Sequence, residues 1–171
     1  GRGTDELVSI LTAVLAAARK RIWITNAYFA PRRRAIGRLA AAVRRGVDVR
    51  LLLPGASDVP TVQHAAHGYY RGLLEGGVRI FEYGAAILHA KSLVADDRVC
   101  VVGSTNLDYR SFHLNAECNL VIIDSKTADR LGRAFEEDLS RSREIRLEEW
   151  RRRGLGHQLL DQGARCLAPV L

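Results

Sequence analysis

The chain has 171 residues, 47% of them hydrophobic, which is enough for one domain with a full core. No run approaches the roughly 18 apolar residues of a membrane-spanning helix, and nothing at the start has the charged, apolar, then small-residue order of a signal peptide, so this segment is expected to be soluble by itself. A formal charge of +7 points to an anionic partner, whether nucleic acid, an acidic membrane surface or a phosphorylated small molecule, and excludes none of the three.

In chain order, residues 5–19 place apolar side chains at helical spacing behind Thr4 and Asp5 as caps, and RIWITN at 21–26 reads as a buried strand. Pro31 starts an amphipathic helix that runs to Gly46, VDVRLLL at 47–53 is a strand, and a helix over about 59–75 is closed by Gly76 and Gly77. VRIFEY at 78–83 is a third strand. Helices and strands alternating with short connections predict an α/β fold whose mixed, mostly parallel sheet is covered by helices on both faces. From residue 84 the rhythm changes. ILHAKSLVAD, a tight turn at Asp96-Asp97-Arg98, and RVCVVGS predict two antiparallel strands. CNLVIID at 118–124 is a further strand, a helix follows over about 126–140, and an Arg- and Glu-rich tail over about 141–171 is expected to be helical.

Composition narrows the chemistry. Cys100, Cys118 and Cys166 are odd in number and form no CxxC pair, which argues against both a disulfide framework and a structural zinc site. Methionine is absent, position 1 included, so the chain is expected to be a piece of a longer protein. Lysine occurs only at 20, 91 and 126 among 26 basic residues, which makes Lys91 informative. On a strand, His89 and Lys91 project from one face. An imidazole titrating near neutrality serves as nucleophile or general acid, and the ammonium neutralises phosphodiester oxygens. A turn near residue 97 brings Ser104 and Asn106 back beside His89, where both can donate hydrogen bonds to the same phosphate.

His89-x-Lys91-x4-Asp96, then six residues and Gly103-Ser104-x-Asn106, resembles the signature of the phospholipase D superfamily. The likeness extends through LDYRSFHLNAE at 107–117. NAYFAP at 26–31, GVDVRLLLPGASD at 46–58, YYRGLLEGGVRIFEY at 69–83 and the closing Ala-Pro-Val-Leu resemble the C-terminal half of bacterial cardiolipin synthases. The resemblance implies a phospholipase D-like α/β/α sandwich spanning 1–171 as one catalytic domain, the second of two in its parent. It implies a phosphatidyltransferase that passes a phosphatidyl group through phosphohistidine to the hydroxyl of a second lipid, phosphatidylglycerol, with no metal and no cofactor. The catalytic set it carries over is His89, Lys91, Asp96 and Glu117, the last orienting an imidazole, with Ser104 and Asn106 on the phosphate and Tyr28 at the rim. The expected partners are an anionic phospholipid and a second catalytic half, and the expected setting of the parent is the cytoplasmic face of the bacterial inner membrane.

Two histidines are needed by that chemistry, yet only His89 heads an HxK: Ala66 stands two residues after His64, Tyr69 after His67, Asn115 after His113 and Leu159 after His157. The second comes either from the N-terminal half of the parent or from a homodimer mate. The latter would suit a superfamily nuclease, the competing reading, whereas the leading one involves no nucleic acid. Plainer roles stand beside the functional ones. Asp96 is also a natural turn former, and Ser104 and Asn106 are natural caps. Glu117 suits a strand start, Tyr28 ordinary packing, and the arginine runs at 32–34, 44–45 and 151–153 solvated helix faces. His64 and His67 share a helix face, but two ligands without a third are poor evidence for a metal.

Overall fold

The structure, a computed structural model, describes residues 2–167, with side chains from Glu6 onward. The side chains of the expected caps Thr4 and Asp5, and the closing residues 168–171, therefore lie outside the described part, while the helical backbone already begins at Arg2. Seven strands form one sheet in the order β6-β5-β4-β1-β2-β3-β7. At its centre β1 (Arg21–Thr25), β2 (Asp48–Pro54) and β3 (Arg79–Tyr83) are parallel, joined by crossovers through α2 (Arg33–Arg44) and α3 (Pro60–Glu75). Every other pairing is antiparallel: β4 (Ser92–Ala95) on β1, β5 (Val99–Gly103) on β4, β6 (Asn119–Ile123) on β5, and β7 (Ser142–Ile145) on β3. The parallel character sits in the three strands joined by helical crossovers, and the antiparallel β4 beside them is also buried on both faces, with Leu93 and Ala95 on one side and Val94 on the other.

Alternation along the strands sorts the core into two layers. Ile22, Ile24, Val49, Leu51, Leu53 and Ile80 pack on one face against Leu7 and Leu15 of α1 (Arg2–Ala17), Leu39 and Ala42 of α2, and Tyr70 and Leu73 of α3. Trp23, Leu52 and Phe81 point the other way, onto Phe135 of α5 (Ser125–Ser140), with Trp23 and Phe135 stacked at 5.1 Å between ring centres. Asp124 starts α5 by accepting the Thr127 N–H at 2.8 Å. Helices on both faces make this the α/β/α sandwich. Among the described residues no helix is long and apolar enough to cross a membrane.

The tail departs from its expected helix at the start. Ser142–Ile145 form β7, closing the outer edge of β3, with Ile145 buried and Glu144 accepting from Arg79 across the ladder at 2.7 Å. Four residues reading SREI carry too little periodicity to register as a strand; the unpaired edge of β3 recruits them. Helices α6 (Leu147–Arg151) and α7 (Leu155–Leu167) complete the described tail. A five-residue helix, α4 (Tyr109–His113), capped by Asp108 through the Ser111 N–H at 2.7 Å, was likewise not anticipated.

Candidate active site

The C-terminal ends of β1, β2 and β5 and the N-terminal ends of β4 and β6 lie at one end of the sheet. This is where an α/β sheet offers its loops to a ligand. Two buried asparagines tie those loops together. Asn26 Oδ1 accepts the Leu107 N–H at 3.0 Å, and Asn106 Oδ1 accepts the Tyr28 N–H at 3.2 Å. This reciprocal clamp commits the carbonyl side of Asn106 to structure, and its Nδ2 has no protein partner among the described residues. Gly103 stands where β5 runs against the approach to β6. A Cβ there would lie 2.4 Å from the Cys118 carbonyl oxygen, so only glycine lets the two chains close. Ser104 Oγ then accepts from the Cys118 N–H at 2.9 Å and donates to the Cys118 carbonyl at 3.3 Å. Its proton reaches a phosphate only by leaving that carbonyl, the longer of the two bonds.

His89 and Lys91 were expected on the strand, but β4 begins at Ser92. The β1 partner ends at Thr25, opposite Ser92, so upstream residues have a neighbour on one side only, reached by the Gly103 N–H on the Lys91 carbonyl at 3.2 Å. His89 is exposed, with its ring edge against Tyr28 at 5.7 Å between centres. The Tyr28 hydroxyl donates to Asp58 at 3.0 Å, and burial together with that carboxylate raises its pKa. Lys91 Nζ donates to the His89 carbonyl at 2.9 Å. Burial lowers its pKa, against the opposing pull of Glu117, Asp108 and Asp58. Lys91 forms no ion pair within 4 Å among the described residues, so its half-buried ammonium is left to receive an anionic, tetrahedral group.

Glu117 is close enough to Lys91 to act on its charge, but it makes no hydrogen bond to His89; its carboxylate accepts from Asn115 Nδ2 at 3.4 Å. Asp96, expected in the catalytic set or as a turn former, lies away from His89 and Lys91. It sits at the far end of β4, about 16 Å along the chain from Lys91 at strand rise. Its backbone is left-handed, φ 52°, and its carboxylate accepts the N–H groups of Arg19, Lys20 and Arg21 at 2.7–3.1 Å. Asp96 fastens the hairpin turn to the start of β1. Asp96→Ala should therefore cost about 2 kcal/mol in urea unfolding, from lost charge-assisted hydrogen bonds and a left-handed alanine, while Asp96→Asn, which keeps Oδ1 and tolerates that backbone, should cost under about 1 kcal/mol.

Asp58, Asp108 and Asn26 were not singled out from the sequence. Asp58 had a usable signal, a Pro-Gly turn directly after a buried parallel strand, and Asp108 had the cap spacing to Ser111. At the rim, the Arg32 guanidinium meets the His113 ring, which packs on Tyr109 at 4.5 Å between centres. His64 and His67 lie elsewhere, on α3, where Asp161 of α7 joins them.

The family described as cardiolipin synthase, PLD-like domain, matches residues 11–139. Cardiolipin synthase 2 of Bacillus anthracis is 38% identical over 159 residues, 93% of this chain and 31% of that protein. Cardiolipin synthase of Halalkalibacterium halodurans is 37% identical over 159 residues, 93% and 32% respectively. The chain thus spans about a third of the length of these relatives. Among solved structures, the phosphatidylserine synthase of Haemophilus influenzae Rd KW20 superposes with a TM-score of 0.78 at 18% identity, covering 96% of this chain and 45% of that one. The phospholipase D family member Nuc of Salmonella typhimurium gives 0.71 at 21% identity, covering 81% and 90%. Both show that the fold is shared.

Proposed function

The chain belongs to the family described as cardiolipin synthase, PLD-like domain, and on that premise we propose that it is the second of two catalytic domains of a cardiolipin synthase-type phosphatidyltransferase. A histidine of the other domain attacks the phosphorus of phosphatidylglycerol, and the bond from phosphorus to the headgroup glycerol oxygen breaks. His89, as imidazolium, delivers a proton to that departing oxygen. Now neutral, His89 takes the proton from the hydroxyl of a second phosphatidylglycerol, which attacks the phosphohistidine and frees its imidazole. The products are cardiolipin and glycerol. Lys91 and the Asn106 amide hold the phosphoryl oxygens, and Tyr28 fixes the His89 ring from the rim.

The observation that carries this reading is the half-buried Lys91 beside His89, at the loop end of the sheet, in a chain with one HxK. The parent acts at the cytoplasmic face of the inner membrane, on lipid already in the bilayer. Supplied with phosphatidylglycerol vesicles as sole substrate, it should form cardiolipin and glycerol in equal amounts and leave DNA intact, while the 171-residue chain alone should be nearly inactive. DNA cleavage without cardiolipin would move the assignment to a homodimeric nuclease of the superfamily.

A further inference from the structure

The seam between α3 and α7 is polar where packed helices usually bury apolar side chains. Asp161 is the buried residue of α7, 1% exposed, while Leu155, Leu159 and Leu160 of the same helix are between 61% and 77% exposed. Around Asp161 stand His64 and His67, one turn apart on α3. Both imidazoles bring Nδ1 toward the same oxygen, Asp161 Oδ1, at 2.8 and 3.8 Å. The other oxygen, Oδ2, accepts from Arg153 at 2.6 Å, and the Arg153 guanidinium lies 3.3 Å over the Trp150 ring. His67 Nε2 is buried, 3.2 Å from Glu82 Oε1, and without an aligned hydrogen bond.

We propose that His64 Nδ1, His67 Nδ1 and Asp161 Oδ1 form a Zn²⁺ site that staples α7 to α3. Two imidazole nitrogens and one carboxylate oxygen are a zinc donor set, and a helix supplies two of them at i and i+3. The three donors lie within 4.8 Å of one another. Ligands about 2.0–2.2 Å from a tetrahedral Zn²⁺ are about 3.3 Å apart, and the two separations from Oδ1 bracket that value. Arg153 holds Oδ2 and leaves Oδ1 as a single ligand atom. A cleft lined by Arg71, Gln158 and Gln162 opens onto His67 and Asp161, giving a water access to the fourth position.

A simple ion pair accounts for less. It sets two imidazoles competing for one oxygen and leaves His67 Nε2 unsatisfied. Metal on both Nδ1 atoms would fix the remaining proton of each ring on Nε2, and for His67 Glu82 Oε1, 3.2 Å away, is the carboxylate available to complete the carboxylate–histidine–metal relay that orients zinc ligands. None of its residues is shared with the site around His89 and Lys91.

The test is titration of the tag-free, chelator-treated 171-residue chain with Zn²⁺ by calorimetry, with Co²⁺ absorption as a reporter of tetrahedral geometry. One ion per chain is expected, with Tm rising by about 5–10 °C at a hundredfold excess over Kd. His64→Ala, at a half-exposed position that tolerates truncation, and the isosteric Asp161→Asn should each weaken binding by about a hundredfold or more. His157→Ala, an exposed imidazole on α7 outside the donor set, should change nothing. Absence of saturable one-to-one binding, or affinity that survives His64→Ala, overturns the proposal, as does loss of affinity in His157→Ala.

Discussion

His89→Asn in the full-length parent should lower the rate of cardiolipin formation by about a thousandfold or more while leaving Tm within about 2 °C of the unsubstituted protein. The stability half of that expectation follows from position. His89 is exposed, it lies before the first residue of β4, and its ring makes an edge contact with Tyr28 but belongs to no core cluster. The chemical half follows from the proton it must supply: an alkoxide expelled unprotonated from a phosphodiester is a poor leaving group, and asparagine has no titratable proton to give. A p-nitrophenyl phosphodiester of the same lipid separates the possible roles of His89. Its leaving group departs without help, so a variant lacking only the general acid should recover most of the first step and accumulate phosphohistidine on the other domain. A variant lacking the nucleophile recovers nothing. Cardiolipin formation within tenfold of the unsubstituted protein would remove His89 from the reaction.

Local pattern carried much of the architecture. The strands RIWIT, VRLLLP and RIFEY are rich in apolar residues because both faces are largely buried, and that signal is strong in sequence. The hairpin was legible through its turn chemistry at Asp96. What escaped was set by tertiary neighbours. SREI becomes β7 because β3 offers an open edge, and α4 exists because Asp108 caps one turn that Ser111 answers from within. At the candidate site, HxK spacing singled out His89 and Lys91 as candidates, but which side of Asn106 is free depends on Tyr28, 78 residues away. Asp58 reaches the site through a loop after β2, and no local spacing links it to Lys91. The third neighbour of His64 and His67 is nearly a hundred residues downstream, a separation that periodicity does not cross.

The motif also divides along its own length. His89 and Lys91 lie at the end of β4 where loops gather, and Asp96 at the opposite end, where the turn is pinned to β1 by three backbone N–H groups. One hairpin therefore holds the proposed reacting pair at one tip and its anchor at the other, and the register between them is what the fixed spacing preserves: Ser92 to Ala95 face Val102 to Val99 on one side and Thr25 to Ile22 on the other. A one-residue slip would turn Lys91 to the opposite face.

Lys91→Met should separate function from stability. Loss of the ammonium removes the cation that neutralises the phosphoryl oxygens as they gain charge, so cardiolipin formation by the parent should fall about 10²–10³-fold. The Tm of the 171-residue chain at pH 7 should stay level or rise. Burial is the leading cause of the lowered Lys91 pKa, and the attraction of Glu117, Asp108 and Asp58 offsets it only in part, so the fold disfavours the charged form. A folded pKa below 10.5 means that the native state binds fewer protons than the unfolded chain as pH rises through that pair of values. Stability of the unsubstituted chain should therefore increase with pH across that window, and the methionine variant should lack this component of the slope. Lys91→Arg keeps a charge but brings a planar fork in place of a compact ammonium, so it should restore the electrostatics more than the rate. A methionine variant that is both inactive and markedly less stable would instead make Lys91 a structural residue, and would leave His89 without its phosphate-binding neighbour.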